Sequence, residues 1–317
     1  MSGTTPAKAK PPAKAKAKRG RGARLSGRDK LTVFLMVAIP SIVVAGLVWL
    51  PAIETVVYSV FDWDGFTSFS KAPFVGGKFY NYAATTYPAF WPALKHNVIW
   101  LLVLFLIATP LGMLLAVLID HLAKGTQFYQ TAFYLPVVLS MALIGFIWQL
   151  MYSHDEGFLN YLLYQQMHLI SAPIDWYGDS RYALGSALVA TAWRHTGYIM
   201  LLYLSGLKGV DPVLREAAKI DGASEVRTFF RVVFPVMAPV NIIILVVTFV
   251  ESLRAFDLVW IINQGQNGLQ LIATEVTRNI VGEAQRIGFG SALATIMLVI
   301  SSVFIAIYLR VVVREDR

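Results

Sequence analysis

Cysteine is absent from the 317 residues, and charged side chains are scarce. Without cysteine the chain has no disulfide, no thiol nucleophile and no cysteine-based metal site. Asp, Glu, Lys and Arg make up 15% of the residues, whereas a typical soluble domain contains about 25%. Hydrophobic residues make up 56%, and the mean hydropathy is +0.59. This composition predicts an integral membrane protein.

Three sequence patterns that would indicate other functions are also missing. Gly77-Lys78 lacks a glycine five residues earlier, where Ala72 stands, and Lys124 and Lys208 fail the same test. The chain therefore has no P-loop to hold ATP phosphates. The absence of a His/Asp/Glu cluster or metal-ligand spacing argues against a membrane enzyme, and the absence of an internal repeat argues against a stand-alone secondary transporter. We expect no catalytic residue and no metal.

Long apolar runs predict an all-α polytopic fold with six transmembrane helices, since about 20 apolar residues cross the hydrocarbon core. The predicted spans are Leu31–Val57, Asn97–Ile119, Gln130–Met151, Tyr182–Leu207, Val236–Ile262 and Gly288–Leu309.

The positive charges predict the orientation of these spans. Residues 1–30 hold ten Lys/Arg and one acid, Asp29, in a low-complexity stretch that we expect to be disordered. The rest, 31–317, is the predicted transmembrane domain, with its core at about 93–310. With the N-terminus inside, 19 Lys/Arg lie inside and seven outside. The positive-inside rule then predicts that both termini are cytoplasmic.

A short polar segment between the fourth and fifth runs has the signals of two capped helices. Asp211 is a good N-cap, and Pro212 suits the first helical position. Residues 212–220 then form a short helix, and Gly222 follows as a residue able to take a positive φ. Ser224 can cap a second helix. Its amphipathic spacing is set by Val226, Phe229, Phe230 and Val233. Helices this short must pack on something, which favours a docking element.

The same segment carries a family resemblance. Residues 207–224, Leu-Lys-Gly-Val-Asp-Pro-Val-Leu-Arg-Glu-Ala-Ala-Lys-Ile-Asp-Gly-Ala-Ser, followed by Pro235, resemble the EAA loop of permease subunits in bacterial ABC importers. The form of this loop is similar to carbohydrate-uptake permeases of the maltose type. Segments at 74–82, 252–257 and 289–292 agree, whereas Asn263-Gln-Gly-Gln-Asn-Gly departs from the family's usual Thr-Gly-Gly-Pro-like loop.

The resemblance implies a type I ABC importer permease whose EAA loop forms a cytoplasmic coupling helix. The residues that it assigns to ATPase coupling are Glu216, Ala217, Ala218, Asp221 and Gly222. The implied partners are a second permease of different sequence, two ATPase subunits, an extracytoplasmic solute-binding protein and the lipid bilayer, with no nucleic acid. ATP and Mg²⁺ would bind the ATPase subunits, and this chain would bind no cofactor. The implied location is the bacterial cytoplasmic membrane.

Ionisable residues inside predicted spans are candidates for the substrate path, because burying a charge in a membrane is costly. Glu251, Arg254 and Asp257 stand at i, i+3 and i+6, where they could neutralise one another as a structural ladder or face a sugar cavity. Asn241 and Arg194 are further candidates.

A sugar is the predicted cargo, and other cargoes stay open. Glycerol-phosphate, a polyamine or a metal would use the same importer architecture. A phosphate-bearing cargo would need several cavity Arg or Lys residues, and the spans offer few.

Overall fold

The computed structural model describes residues 26–122, 124–282 and 285–315, and the chain divides into two compact units, 1–53 and 54–317. Within the described ranges the fold is helical, and the β-structure among them is one isolated bridge between Phe61 and Phe74. The predicted all-α fold is confirmed. Most of the predicted disordered tail lies outside the described residues, and the first helix begins at Gly27.

The helices, in chain order, are α1 (Gly27–Tyr58), α2 (Lys78–Thr85), α3 (Phe90–Asp120), α4 (Thr126–Val138), α5 (Met141–Met151), α6 (Ala183–Lys208), α7 (Pro212–Ile220), α8 (Glu225–Val236), α9 (Ala238–Leu253), α10 (Asp257–Asn263), α11 (Ile272–Ile280) and α12 (Ile287–Glu315). Shorter helical turns lie at Phe69–Lys71 and at Phe158–Asn160, the latter continued by Tyr161–Gln166.

Three of the described helices are long and apolar enough, by length and composition, to cross a membrane: α1, α3 and residues Ile287–Tyr308 of α12. The number rises to five if α4 with α5 is one span and α8 with the segment Ala238–Asn263, which comprises α9 and α10, is another. The fourth predicted span is a single helix of 26 residues, α6, but it is less apolar than these.

The third and fifth predicted spans are interrupted, because each contains two helices rather than one continuous helix. The chain turns by 99° between α4 and α5, where Leu139 is extended and the Ser140 side chain caps α5 by accepting from the Leu143 amide. It turns by 77° between α8 and α9. Pro239, in the first turn of α9, has no amide hydrogen to continue the preceding helix.

Small residues bring α6 against its neighbours. A Cβ on Gly112 of α3 would lie 2.8 Å from the carbonyl oxygen of Thr196. A Cβ on Gly197 of α6 would overlap the main-chain oxygen of Phe133 in α4. Around these contacts Ile199, Met200 and Leu204 of α6 are buried. Close backbone approach through glycine is a common basis of helix packing in membranes.

A polar network fixes α11 beside the segment between α2 and α3. The buried Glu275 carboxylate accepts from the Tyr87 hydroxyl at 2.6 Å and pairs with Arg278 at 2.7 Å. Burial and the Glu275 hydrogen bond together raise the pKa of Tyr87 to about 12. Arg278 also donates to the Gln264 carbonyl at 2.8 Å, and Asn279 donates to the Tyr87 oxygen. The network therefore holds the loop after α10 in place.

Candidate functional site

The predicted docking element folds as its sequence signals indicate. The Asp211 side chain accepts from the Val213 amide, Pro212 begins α7, and α7 ends at Ile220. Gly222 has φ +75°, its amide donates to the Lys219 carbonyl, and the Ala223 amide donates to the Ala218 carbonyl. These two bonds form a Schellman motif, which needs a left-handed residue at the glycine position. The predicted bounds and caps of α7 are confirmed.

The second predicted helix of the element also forms. The Ser224 hydroxyl caps α8 by accepting from the Arg227 amide at 3.4 Å. On α8, Val233 is buried, Phe229 is half-buried, and Val226 and Phe230 are exposed. The helix ends at Val236, one residue after Pro235.

Most of the residues predicted for coupling lie on the surface of α7. Glu216, Ala217, Asp221 and Gly222 are exposed, and Ala218 is buried. Ile220 is 86% exposed, although it is the most apolar side chain of the turn. Among the described residues the Glu216 carboxylate has no hydrogen-bond or ion-pair partner. This surface is therefore free to receive a partner.

An ion pair that the sequence reasoning missed fixes α7 to a membrane-spanning helix. Arg215 Nη1 lies 2.8 Å from Asp120 Oδ2 at the end of α3, and Arg215 Nη2 donates to the Leu207 carbonyl at 3.0 Å. The two residues are 95 positions apart, and only their position at helix ends could have indicated the pair. The contact joins α7 to the ends of α3 and α6.

We expect Arg215→Ala to loosen α7 without unfolding the chain. The substitution removes two charge-assisted hydrogen bonds and leaves Asp120 unpaired, which costs about 1–3 kcal/mol. Hydrogen exchange of the amides in α7 should then be about ten to one hundred times faster. Arg227→Ala is the matched control, since Arg227 is an exposed arginine on α8. Unchanged exchange in α7 would show that the ion pair does not hold the helix.

A cavity of about 120 Å³ lies where the fifth predicted span breaks, between α9 and α10. Four of the five residues predicted for the substrate path contribute to its lining. These are Arg194 of α6, Glu251 of α9, Arg254, and Asp257 at the start of α10. Trp100 of α3 also lines it. Among the described residues, the buried Trp100 Nε1 and Arg194 Nε atoms have no hydrogen-bond acceptor. Both residues therefore combine a place in the cavity lining with a buried donor that has no partner among the described residues.

The predicted charge ladder does not form. α9 ends at Leu253 and α10 begins at Asp257, so Glu251, Arg254 and Asp257 do not follow one helical face. Among the described residues no ion pair within 4.0 Å joins any two of them. The i, i+3, i+6 spacing would align the three side chains only on a continuous helix, and the helix is interrupted between Leu253 and Asp257.

Asn97 of α3 holds this break in place, and the sequence reasoning did not identify it. Its buried side chain donates to the Ser252 carbonyl at 3.0 Å and accepts from the Ile272 amide at 3.0 Å. One amide group thus joins the end of α9 to the start of α11. The sequence signal for this role was a polar asparagine side chain within a predicted apolar span.

Asn241, the fifth residue predicted for the path, does not line this cavity. Its Nδ2 donates to the Phe234 carbonyl at 3.0 Å, across the 77° bend between α8 and α9. In this structure Asn241 stabilises the bend.

Comparison with known proteins gives a consistent family match. The sequence profile described as "Binding-protein-dependent transport system inner membrane component" matches residues 16–315. The probable ABC transporter permease protein YurN of Bacillus subtilis is 29% identical over 281 residues, which cover 86% of this chain and 93% of that protein. The xylose/arabinose import permease protein XacH of Haloferax volcanii is 32% identical over 224 residues, covering 70% and 69% of the two chains.

A solved structure supports the same fold. A chain of a bacterial ABC transporter involved in the import of the acidic polysaccharide alginate superposes with a TM-score of 0.77. The alignment covers 92% of this chain and 97% of that chain at 20% identity. At this identity the likeness supports the architecture, the type I importer permease fold.

Proposed function

Because this chain belongs to the family of binding-protein-dependent transport system inner membrane components, we propose that it carries a sugar across the membrane as one permease of an ATP-driven importer. The permeases of this family are transport components rather than enzymes. The open questions for this chain are therefore its cargo, the side chains that contact the cargo, and the surface through which ATP hydrolysis acts.

The cavity at the α9–α10 break is the observation that carries the sugar proposal. It presents two carboxylates, Glu251 and Asp257, and two guanidinium groups, Arg194 and Arg254, so its formal charges cancel. Arg194 and Trp100 also bring N–H donors to the lining, and a sugar oxygen can accept from such groups. Sugar hydroxyls both donate and accept, and a neutral sugar leaves the charge balance undisturbed.

A non-sugar cargo is the second candidate within the same importer architecture. A phosphate ester would add negative charge to a site that already holds two carboxylates, and a polyamine would face two guanidinium groups. The balanced lining favours a neutral polyol over either. The xylose/arabinose permease that resembles this chain adds support for a sugar.

The coupling surface is α7. We assign to Glu216, Ala217, Asp221 and Gly222 the contact with an ATPase subunit and to Ala218 the packing beneath it, because the first four are exposed and Ala218 is buried. ATP and Mg²⁺ would bind two such subunits, and a second permease of different sequence would complete the path. A solute-binding protein would deliver the sugar on the opposite side. In this proposal α7 and both termini lie in the cytoplasm of a bacterial cell.

The proposed transport cycle follows from how α7 is joined to the cavity. Closure of the ATPase subunits on ATP would displace α7, and the Arg215–Asp120 pair would pass that displacement to α3. The Gly222 turn leads directly into α8 and α9, whose far end carries Glu251. The cavity would thus change its access between the two sides of the membrane.

The test is reconstitution of the assembled importer in vesicles, with the ligand of its binding protein as the labelled cargo. We expect the vesicles to take up a neutral sugar. This uptake should require ATP on the side of the membrane that carries the ATPase subunits. Importers assembled with a Walker-lysine variant of the ATPase subunits are the control and should not transport. A binding protein that delivers only a phosphate ester or a polyamine would overturn the sugar assignment, and uptake that survives inactive ATPase subunits would overturn the importer.

A further inference from the structure

A groove on the cytoplasmic side of the proposed orientation lies between the end of α3 and α8 and is separate from the sugar cavity. It borders α7 at Arg215 and Lys219, beside the residues assigned to the ATPase contact. Its apolar part has a volume of about 330 Å³, and its polar end has a volume of about 170 Å³. The two parts share Val117, His121, Glu225 and Phe229, so they form one continuous groove.

The apolar part lies beside the last turns of a membrane-spanning helix. Leu114 and Leu118 of α3 are 52% and 54% exposed, and Val226 and Phe230 of α8 are 68% and 56% exposed. α3 is long and apolar enough to span a membrane and ends at Asp120. In the proposed orientation this part of the groove would therefore lie where acyl chains meet headgroups. An acyl chain fits its chemistry.

The polar end contains two buried donors without acceptors. Thr228 is 7% exposed, and its hydroxyl has no partner among the described residues. Arg215 Nε is also buried and unpaired, although the Nη atoms of the same side chain bind Asp120 and Leu207. Buried donors of this kind are costly when they are left unsatisfied. A phosphate group would supply acceptors to both.

Two charges at the polar end are also free. Lys219 and Glu225 line it, and neither has an ion-pair partner within 4.0 Å among the described residues. The ammonium of Lys219 suits a phosphate, and the carboxylate of Glu225 suits a primary ammonium group. The remaining charges, Asp120 and Arg215, neutralise each other. The polar end therefore matches a headgroup that carries one negative and one positive charge.

We propose that this groove binds a zwitterionic phospholipid of the phosphatidylethanolamine type, with its phosphate at Thr228, Arg215 and Lys219, its ammonium at Glu225, and an acyl chain along Leu118 and Phe230. The lipid would fill the space between the spanning helix and the coupling element. It would thereby support α8 where that helix meets the membrane surface.

The test measures lipid binding to the delipidated full-length chain in mild detergent by native mass spectrometry. Phosphatidylethanolamine, phosphatidylcholine and phosphatidylglycerol with the same acyl chains are compared. We expect phosphatidylethanolamine to bind about tenfold more tightly than phosphatidylglycerol. Its primary ammonium can donate a charge-assisted hydrogen bond to Glu225, and phosphatidylglycerol has no ammonium group. Glycerophosphoethanolamine, which has the headgroup without acyl chains, should not compete at equal concentration.

Two substitutions locate the lipid. Thr228→Val keeps the side-chain volume and should weaken binding about fivefold by removing one hydrogen bond. Glu225→Gln should remove the preference for phosphatidylethanolamine. Thr295→Val is the matched control, since Thr295 is a buried threonine in α12. Equal binding of all three lipids, or wild-type binding by Thr228→Val, would overturn the proposal, and both readouts are independent of transport.

Discussion

Glu216→Lys is expected to abolish uptake while the chain still folds and inserts into the membrane. Folding should be unaffected because the Glu216 side chain is exposed and has no partner among the described residues of its own chain. Coupling should be lost because the substitution puts a positive charge at the position where the ATPase subunit is proposed to contact the negative Glu216 carboxylate. Reversal of one charge at a protein contact costs several kcal/mol, so uptake should fall below about one tenth of its normal rate.

The control for this prediction is the same charge reversal at an exposed site elsewhere, Glu156→Lys, which should transport normally. Vesicle uptake, ATP hydrolysis and the amount of ATPase that co-purifies are measured on both variants. A companion variant, Gly222→Val, tests the turn. An added Cβ has free space there, but a β-branched residue is strained at φ +75°. Normal sugar-dependent ATP hydrolysis in Glu216→Lys would refute the coupling assignment.

Gly197→Ala is expected to cause the largest loss of stability. The new Cβ would overlap the Phe133 main-chain oxygen, and a backbone atom cannot move away as a flexible side chain can. α4 and α6 would have to separate, with the loss of the packing around them. Overpacking of this kind costs about 3 kcal/mol, which corresponds to a melting temperature lower by roughly 6–12 °C in a chain of this size.

Gly185→Ala provides the matched control, because Gly185 lies on the same helix and nothing is within 4 Å of the position of its Cβ. Alanine is the better helix former by about 1 kcal/mol, so this variant should be as stable as the natural chain or slightly more stable. Thermal unfolding followed by size-exclusion chromatography in detergent measures both variants. Equal melting temperatures for the two would contradict the close approach of α6 to α4.

The coupling element could be predicted almost residue by residue because its signals are local. Asp211 specifies the start of α7 through its side-chain cap and Pro212 through its fixed φ, and Gly222 specifies the end through its positive φ. The cavity could be predicted only in part. Charged residues in apolar runs pointed to Arg194, Glu251, Arg254 and Asp257, which line one cavity. The break that brings them together depends on Asn97, which bonds residues 155 and 175 positions away.

Contacts across such distances leave no periodic trace in the sequence. The Arg215–Asp120 pair and the Gly197–Phe133 approach belong to the same class. The bends at Leu139 and Met237 were missed for a different reason, since hydropathy measures how apolar a segment is and does not report its direction.

The bends at the two ends of α9 have a mechanical consequence. α9 is a stiff rod of 16 residues, about 24 Å long, with a 77° elbow at one end and the α9–α10 break at the other. A displacement of the chain at the 77° bend would therefore rotate α9 as a rigid body and move its other end, which borders the sugar cavity. The middle of α9 is packed, since Ile244 and Thr248 are buried and Thr248 shares a hydrogen bond with His195 of α6. The two joints would therefore set how far the rod can swing.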